Sequence, residues 1–230
     1  MELSPQEIDA IFLSIKVSIW SVVFSLLPAV YIAYVLSRKN FWGRQALNVL
    51  VHIPLILPPV VTGYFLLILF SRTGLIGRFL DTYFGITVAF HWFGAVLAAA
   101  IMSFPLMVRA FRLGFESVDP KLEVVAYSLG ANRFMIFLTI TLPLVIPALI
   151  TGAVLGFAKS MGEFGATITF VSNIPGQTQT VPSAIFEFLQ IPGNNFMTIR
   201  LVCLSLLISI VALYISEVLA SRLSSRGHGE

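Results

Sequence analysis

Five stretches of this chain run for about 20 predominantly apolar residues each, with few charges, and that feature excludes most architectures before any motif is considered. A helix of about 20 residues crosses a hydrocarbon layer of roughly 30 Å. The windows fall near residues 10–36, 46–70, 93–113, 136–160 and 197–220. With 57% of 230 residues apolar and 11% charged, the chain is too hydrophobic for a soluble domain and too rich in core-forming residues for disorder. Lipid offers no partner to a backbone N–H or C=O, so the windows are helices. The expected fold is an all-α polytopic membrane protein forming one domain over 1–230, with about five transmembrane helices. The segments 71–92 and 161–196 are apolar but broken by Gly, Pro and polar residues. They read as short surface or re-entrant helices, and a sixth inserted segment stays open.

Basic residues orient the chain, because short loops rich in Lys and Arg remain on the cytoplasmic side. Arg38, Lys39, Arg44, Arg109, Arg112, Lys121, Arg133, Arg222 and Arg226 make nine in alternate loops and the tail; the opposite loops hold Arg72 and Arg78. Glu2, Glu7 and Asp9 mark the N-terminal end. The N-terminus is expected outside and the C-terminus inside, as an odd number of spans requires. The first apolar run is not a cleavable signal, since its basic residues follow it and no small-residue cleavage site comes after.

Chemistry of its own is not expected of this chain. Cys203 is the single cysteine, which rules out a disulfide or thiolate framework, and His52, His91 and His228 are scattered. No cluster of carboxylates and histidines suggests a catalytic or metal site. Nothing matches Gly-x4-Gly-Lys-Ser/Thr, the loop whose amides cradle phosphates, so any energy from ATP must be borrowed.

Gly152, Gly156 and Ser160 recur every four residues in the fourth span, where small side chains let two backbones approach. Contact between helices of one subunit is the plainer reading; a dimer seam is the other. Pro54, Pro58 and Pro59 in the second span, and Pro143 and Pro147 in the fourth, each remove a backbone donor. They predict kinked helices, either around a central cavity or as a structural feature alone. Lys16 and Arg200 lie near span ends and read as snorkelling residues; Glu217 reads as bonding locally.

Between the third and fourth spans, residues 119–143 read as a helix-glycine-helix elbow. Asp119 and Pro120 open a helix as cap and first residue. Leu122, Val125, Ala126 and Leu129 then form an apolar stripe at i, i+3, i+4 and i+7. A helix so short needs something to lie against, either its own subunit or another protein. Gly130 suits the left-handed residue that ends it, and Asn132 can cap the next helix.

The run Leu122-Glu123-Val124-Val125-Ala126, Gly130-Ala131, then Ile140, Leu142 and Pro143 resembles the EAA loop of ABC-importer permeases. The spacing from Gly130 to Ile140 and Leu142-Pro143 matches fully; Val124 and Val125 replace the first two motif residues, and Glu123 stands one residue early. The resemblance implies a type I importer permease whose elbow docks as a coupling helix on a cytoplasmic ATPase. Leu122, Glu123, Val125, Ala126, Leu129, Gly130, Ala131, Ile140, Leu142 and Pro143 would then carry the coupling.

Lys159 and Glu163 stand four apart near the outer end of the fourth span. They read either as a functional pair at membrane depth or as an ion pair that satisfies both charges. Pro58, Pro59, Thr62 and Tyr64, with Lys159, Gly162, Glu163, Phe164, Gly165, Thr167 and Thr169, are candidates for the translocation pathway or its gate. The segment from Gly162 to Gly193 resembles permeases of the molybdate and sulfate importers, as do Pro54-Leu55-Ile56-Leu57-Pro58-Pro59-Val60-Val61 and Ser103-Phe104-Pro105-Leu106-Met107-Val108-Arg109, with the molybdate branch most similar. That resemblance implies a multi-pass protein of the bacterial inner membrane, surrounded by membrane lipid and paired with a second copy of itself. It also implies two cytoplasmic ATPase subunits holding ATP and Mg, and a periplasmic binding protein delivering molybdate, and with it tungstate. This chain would bind no cofactor and no nucleic acid. The resemblance also implies that selectivity resides mostly in the delivery protein, and consistent with that the spans hold no arginine cluster to grip a dianion. A permease for sulfate, thiosulfate or phosphate stays open as an alternative, as does a stand-alone channel or ion-coupled transporter.

Overall fold

The computed structural model describes residues 3–193 and 195–226, with side chains left out for 216, 217 and 219 onward. Glu2 and His228, and the side chains of Glu217, Arg222 and Arg226, lie outside the described residues. Every regular element among the described residues is a helix.

The first helix, α1 (Pro5–Arg38), begins with a capping box: Ser4 accepts from the Glu7 N–H while the Glu7 carboxylate accepts from the Ser4 N–H, and Pro5 sits in the first turn. At 34 residues it measures roughly 50 Å, longer than a hydrocarbon core. Its mate is α5 (Trp92–Ser117), which runs parallel to it, so that Val17 packs near Ala95 and Val96 at one end and Leu36 near Phe115 and Val118 at the other. Helix α8 (Leu142–Met161) returns antiparallel, and α11 (Asn195–Arg226) follows α1 in direction. Helices α1, α5, α8 (with the turns before it) and the Asn195–Ile215 part of α11 are each long and apolar enough to cross a membrane.

A fifth apolar segment is broken. The window 46–70, read from sequence as one span, is two helices, α2 (Arg44–Ile56) and α3 (Pro59–Phe70), bent by 108°. The cause is local. A residue before proline is pushed out of the helical region, and here Leu57 precedes Pro58 and Pro58 precedes Pro59. Both therefore take extended angles, φ −68° and ψ 143° at Leu57, φ −54° and ψ 133° at Pro58. Pro54 and Pro147, by contrast, lie inside continuous helices.

The small-residue stripe of α8 faces its own subunit. A methyl group on Gly152 would come 2.5 Å from the Phe111 ring, one on Gly156 2.7 Å from Met107, and Ser21 donates to Ser160 at 2.7 Å. This core of Leu36, Met107, Val108, Phe111, Phe115 and Val145 holds the elbow end of the bundle together. A second cluster around Val96, Ala98, Ala99, Phe170 and Val171 does the same for the opposite end. There α4 (Leu75–Phe84), α9 (Gly165–Val171) and α10 (Val181–Gln190) occupy the segments 71–92 and 161–196. The remaining pieces, α6 (Pro120–Ser128) and α7 (Arg133–Ile136), form the elbow.

Candidate functional site: the coupling elbow and the paired helix breaks

Local sequence builds the elbow. Asp119 Oδ1 accepts from the Lys121 N–H at 2.9 Å and Pro120 occupies the first turn of α6. Gly130 sits at φ +90°, and a methyl group there would meet nothing within 4 Å, so backbone conformation and not space demands glycine. The Gly130 N–H donates to Tyr127 O (3.0 Å) and the Ala131 N–H to Ala126 O (3.1 Å), the two bonds of a Schellman ending. Asn132 Oδ1 accepts from the Met135 N–H at 2.8 Å and starts α7.

One wide turn of π-helix, Phe137–Thr141, carries α7 into α8. Ile140 lies in that turn; Leu142 and Pro143 open α8, whose first turn tolerates the missing proline donor. Thr141 is buried and aims its hydroxyl at Glu123 Oε1, 2.9 Å away. Arg38, from the end of α1, reaches the same oxygen at 3.2 Å and also donates to Val118 O at 3.0 Å. Glu123 thus turns inward and ties α6 to α1 and to the π-helical turn that leads into α8. The apolar residues turn outward: no residue of α6 is buried, and Leu122, Val125 and Leu129 are 47%, 59% and 84% exposed. Only Ala126 of the predicted stripe is half-buried. The chain leaves uncovered a short helix that cannot be stable by propensity alone.

At mid-bundle the two helix breaks meet. The first is Leu57-Pro58-Pro59, the second the gap Gly162-Glu163-Phe164 between α8 and α9. A methyl on Gly165 would touch Pro59, and one on Gly63 would touch the Ala166 carbonyl, so both glycines are required by close backbone approach. Glu163 is 2% exposed; it accepts from Lys159 Nζ at 2.8 Å and from the Ala166 N–H at 3.1 Å, which caps α9. The pair is therefore satisfied within one segment. Thr167 and Thr169 donate to their own backbone, to Phe164 O and Gly165 O. Thr62 is buried with no partner for its hydroxyl among the described residues, Phe164 packs on Phe186 with ring centroids 5.1 Å apart, and Pro58, Pro59, Tyr64 and Gly162 are exposed.

Two residues depart from the snorkelling expectation. Arg200 donates through Nε to Glu7 Oε1 at 2.8 Å and through Nη2 to Glu7 Oε2, and Glu7 is fully buried. Lys16 holds its ammonium 3.7 Å from the centroid of the Trp92 ring, a cation–π contact. Glu187 is a further polar centre at that end, accepting from Asn173 and Gln179, while Gln179 accepts from Gln6. The Ser4-x-x-Glu7 capping box was a local signal for Glu7; Arg200, 193 positions away, had none.

The sequence profile of the binding-protein-dependent transport system inner membrane component matches residues 21–225. The chain belongs to that family. The permease is 54% identical over 220 residues, 96% of each chain, to the molybdenum transport system permease protein ModB of Escherichia coli K12. It is 36% identical over 187 residues, 81% of this chain and 67% of the other, to the sulfate transport system permease protein CysT of Salmonella typhimurium LT2. Its fold matches a chain of a bacterial alginate ABC transporter solved with a pentasaccharide-bound periplasmic protein, with a TM-score of 0.76 and 17% identity over 96% of this chain and 80% of that one. It is the membrane-spanning permease subunit of an ABC importer.

Proposed function

We propose that this permease carries molybdate, and with it tungstate, inward across the bacterial inner membrane. It works as a homodimer driven by two separate cytoplasmic ATPase subunits and fed by a periplasmic molybdate-binding protein. The observation that carries the reading is the 54% identity to a molybdenum permease along nearly the whole chain. The exposed apolar face of α6 supports a docked ATPase, since a two-turn helix left uncovered gains little by burial within its own subunit. ATP and Mg belong on that partner.

In this reading Leu122, Val125 and Leu129 seat the elbow on the ATPase, while Glu123, Gly130 and the turn to Pro143 hold its shape. ATP binding draws the ATPase subunits together and the elbows move with them. The passages broken at Pro58-Pro59 and at Gly162–Phe164 then shift against each other, opening the path outward and later inward. Pro58, Pro59, Thr62, Tyr64, Lys159, Glu163, Thr167 and Thr169 stand along those breaks. Coupling free energy is reciprocal, so the loaded binding protein accelerates ATP hydrolysis.

The test is uptake of radioactive molybdate by cells lacking their own molybdate permease, complemented with this chain and its ATPase. ATP-dependent uptake that excess tungstate suppresses, and equal sulfate does not, is expected. Uptake that survives without the ATPase, or that sulfate suppresses equally, overturns the proposal.

A further inference from the structure

The elbow end of the bundle holds a second feature, away from the two helix breaks. The chain between α1 and α2 folds back beside α5 and leaves a cleft of about 600 Å³ lined by Asn40, Trp42, Arg44, Asn48 and Arg112. Arg44 donates through Nε to Leu36 O at 2.9 Å and through Nη1 to Asn40 Oδ1 at 3.1 Å. Arg112 donates through Nε to Glu116 at 2.7 Å and through Nη1 to Asn48 Oδ1 at 3.3 Å. Each guanidinium is held at Nε and Nη1, and the Nη2 of each has no partner among the described residues. Arg109 lines the adjoining recess with Asn48 and Arg112, and Lys39 is exposed beside Asn40. The described lining of the cleft holds Arg44 and Arg112 and no carboxylate, and Glu116 lines the adjoining recess with Arg109.

The setting is a membrane surface. Trp42 is 101% exposed and Phe41 41%, at the end of three apolar passages where amphipathic rings settle among headgroups. Less than two turns along α2 from Asn48, a groove of about 400 Å³ opens between α1, α2 and α5, lined by Phe24, Pro28, Leu50, Pro54, Ile101 and Phe104. It joins the outward apolar face of Val49, Leu50 and Ile53, which are 59%, 64% and 37% exposed.

We propose that cleft and groove together hold one anionic phospholipid, its phosphate between Arg44 and Arg112 and an acyl chain along the groove. Guanidinium groups suit phosphate by charge and N–H donors, and both arginines line the cleft with Nη2 donors left over. Basic pockets between membrane helices suit acidic headgroups, and the groove gives the tail a place that a free oxyanion would not need. The proposal rests on the membrane placement and not on the identity of the transported ion.

The test is native mass spectrometry of the complete transporter, permease with its ATPase, after exchange into mixed phosphatidylglycerol and phosphatidylcholine. One phosphatidylglycerol retained per permease chain is expected. Each Arg→Gln change at 44 or 112 should weaken retention about fivefold, and Arg→Lys much less. Arg44 also braces the loop, so Ile101→Trp, which fills the groove and leaves every charge in place, serves as the second variant and should also lose the lipid. Equal retention of phosphatidylcholine, or retention unchanged in these variants, overturns the proposal. Displacement by millimolar inorganic phosphate or molybdate would instead assign the cleft to a free oxyanion.

Discussion

Arg38 crosses from the end of α1 to the Val118 carbonyl at the end of α5 and to the Glu123 carboxylate of the elbow, and Thr141 donates to the same carboxylate oxygen. Three segments distant in sequence are joined through one side chain. Removing the carboxylate strands Arg38, whose Nε already has no partner among the described residues, and costs about 2 kcal/mol by the usual worth of charge-assisted bonds. Because the bonds link α6 to the bundle, the proposed coupling role predicts the larger effect on transport. Glu123→Ala should lower uptake several-fold per ATP hydrolysed, with Glu123→Asp partly restoring it. The paired exchange Arg38→Glu with Glu123→Arg should recover more than either single change, as measured in proteoliposomes. Uptake and hydrolysis both unchanged in Glu123→Ala would remove Glu123 from the transmission path. The one-residue offset of Glu123 was legible in the sequence. Its inward direction was not, because that depends on Arg38, 85 positions earlier. The same limit hid the Glu7–Arg200 pair, whose partial loss by Arg200→Met should cost about 3 kcal/mol by leaving a buried carboxylate unpaired, read as a lowered unfolding midpoint.

At the scale of elements, the caps were the most legible part of the chain. Asp119-Pro120, Gly130 and Asn132 act on neighbours within a few residues, so the rules that place them need no knowledge of the fold. The angle of the second passage was a different matter. Leu57-Pro58-Pro59 announced a break, but the direction of the 108° bend is held by α3 packing on α9, with Gly63 and Gly165 at the contact. Gly130 gives the sharper test, since its φ of +90° lies in open space. Gly130→Val should strain the elbow by about 1–2 kcal/mol and cut both uptake and stimulated ATP hydrolysis, while Gly130→Asn, which tolerates the left-handed region, should retain most of each. Equal loss in both variants would mean that a partner surface, not the backbone, demands glycine there. Gly152→Leu should instead abolish the folded subunit, because its side chain would enter the Phe111 ring; retained folding with a broken dimer would reverse that assignment.

On the scale of the whole molecule, direction alternates: α1 runs toward the elbow, α2 with α3 returns, α5 comes back, α8 leaves and α11 approaches again. Lys39, Arg44, Arg112, Lys121 and Arg133 gather at the elbow end, and Arg72 and Arg78 stand at the other. The charge rule then places the elbow on the cytoplasmic side and the Glu7–Arg200 and Glu187 polar centres on the outside. Cys203, the single cysteine and exposed on α11, makes the arrangement directly testable after Cys203→Ser. In that background Thr73→Cys and Ser128→Cys put single thiols at exposed positions beyond α3 and at the end of α6. A membrane-impermeant maleimide applied to intact spheroplasts should label position 73 at once and position 128 only after lysis. Docking of the ATPase should slow the second reaction further, because α6 would then be covered. Labelling of position 128 in intact spheroplasts would put the elbow outside and separate it from any cytoplasmic motor.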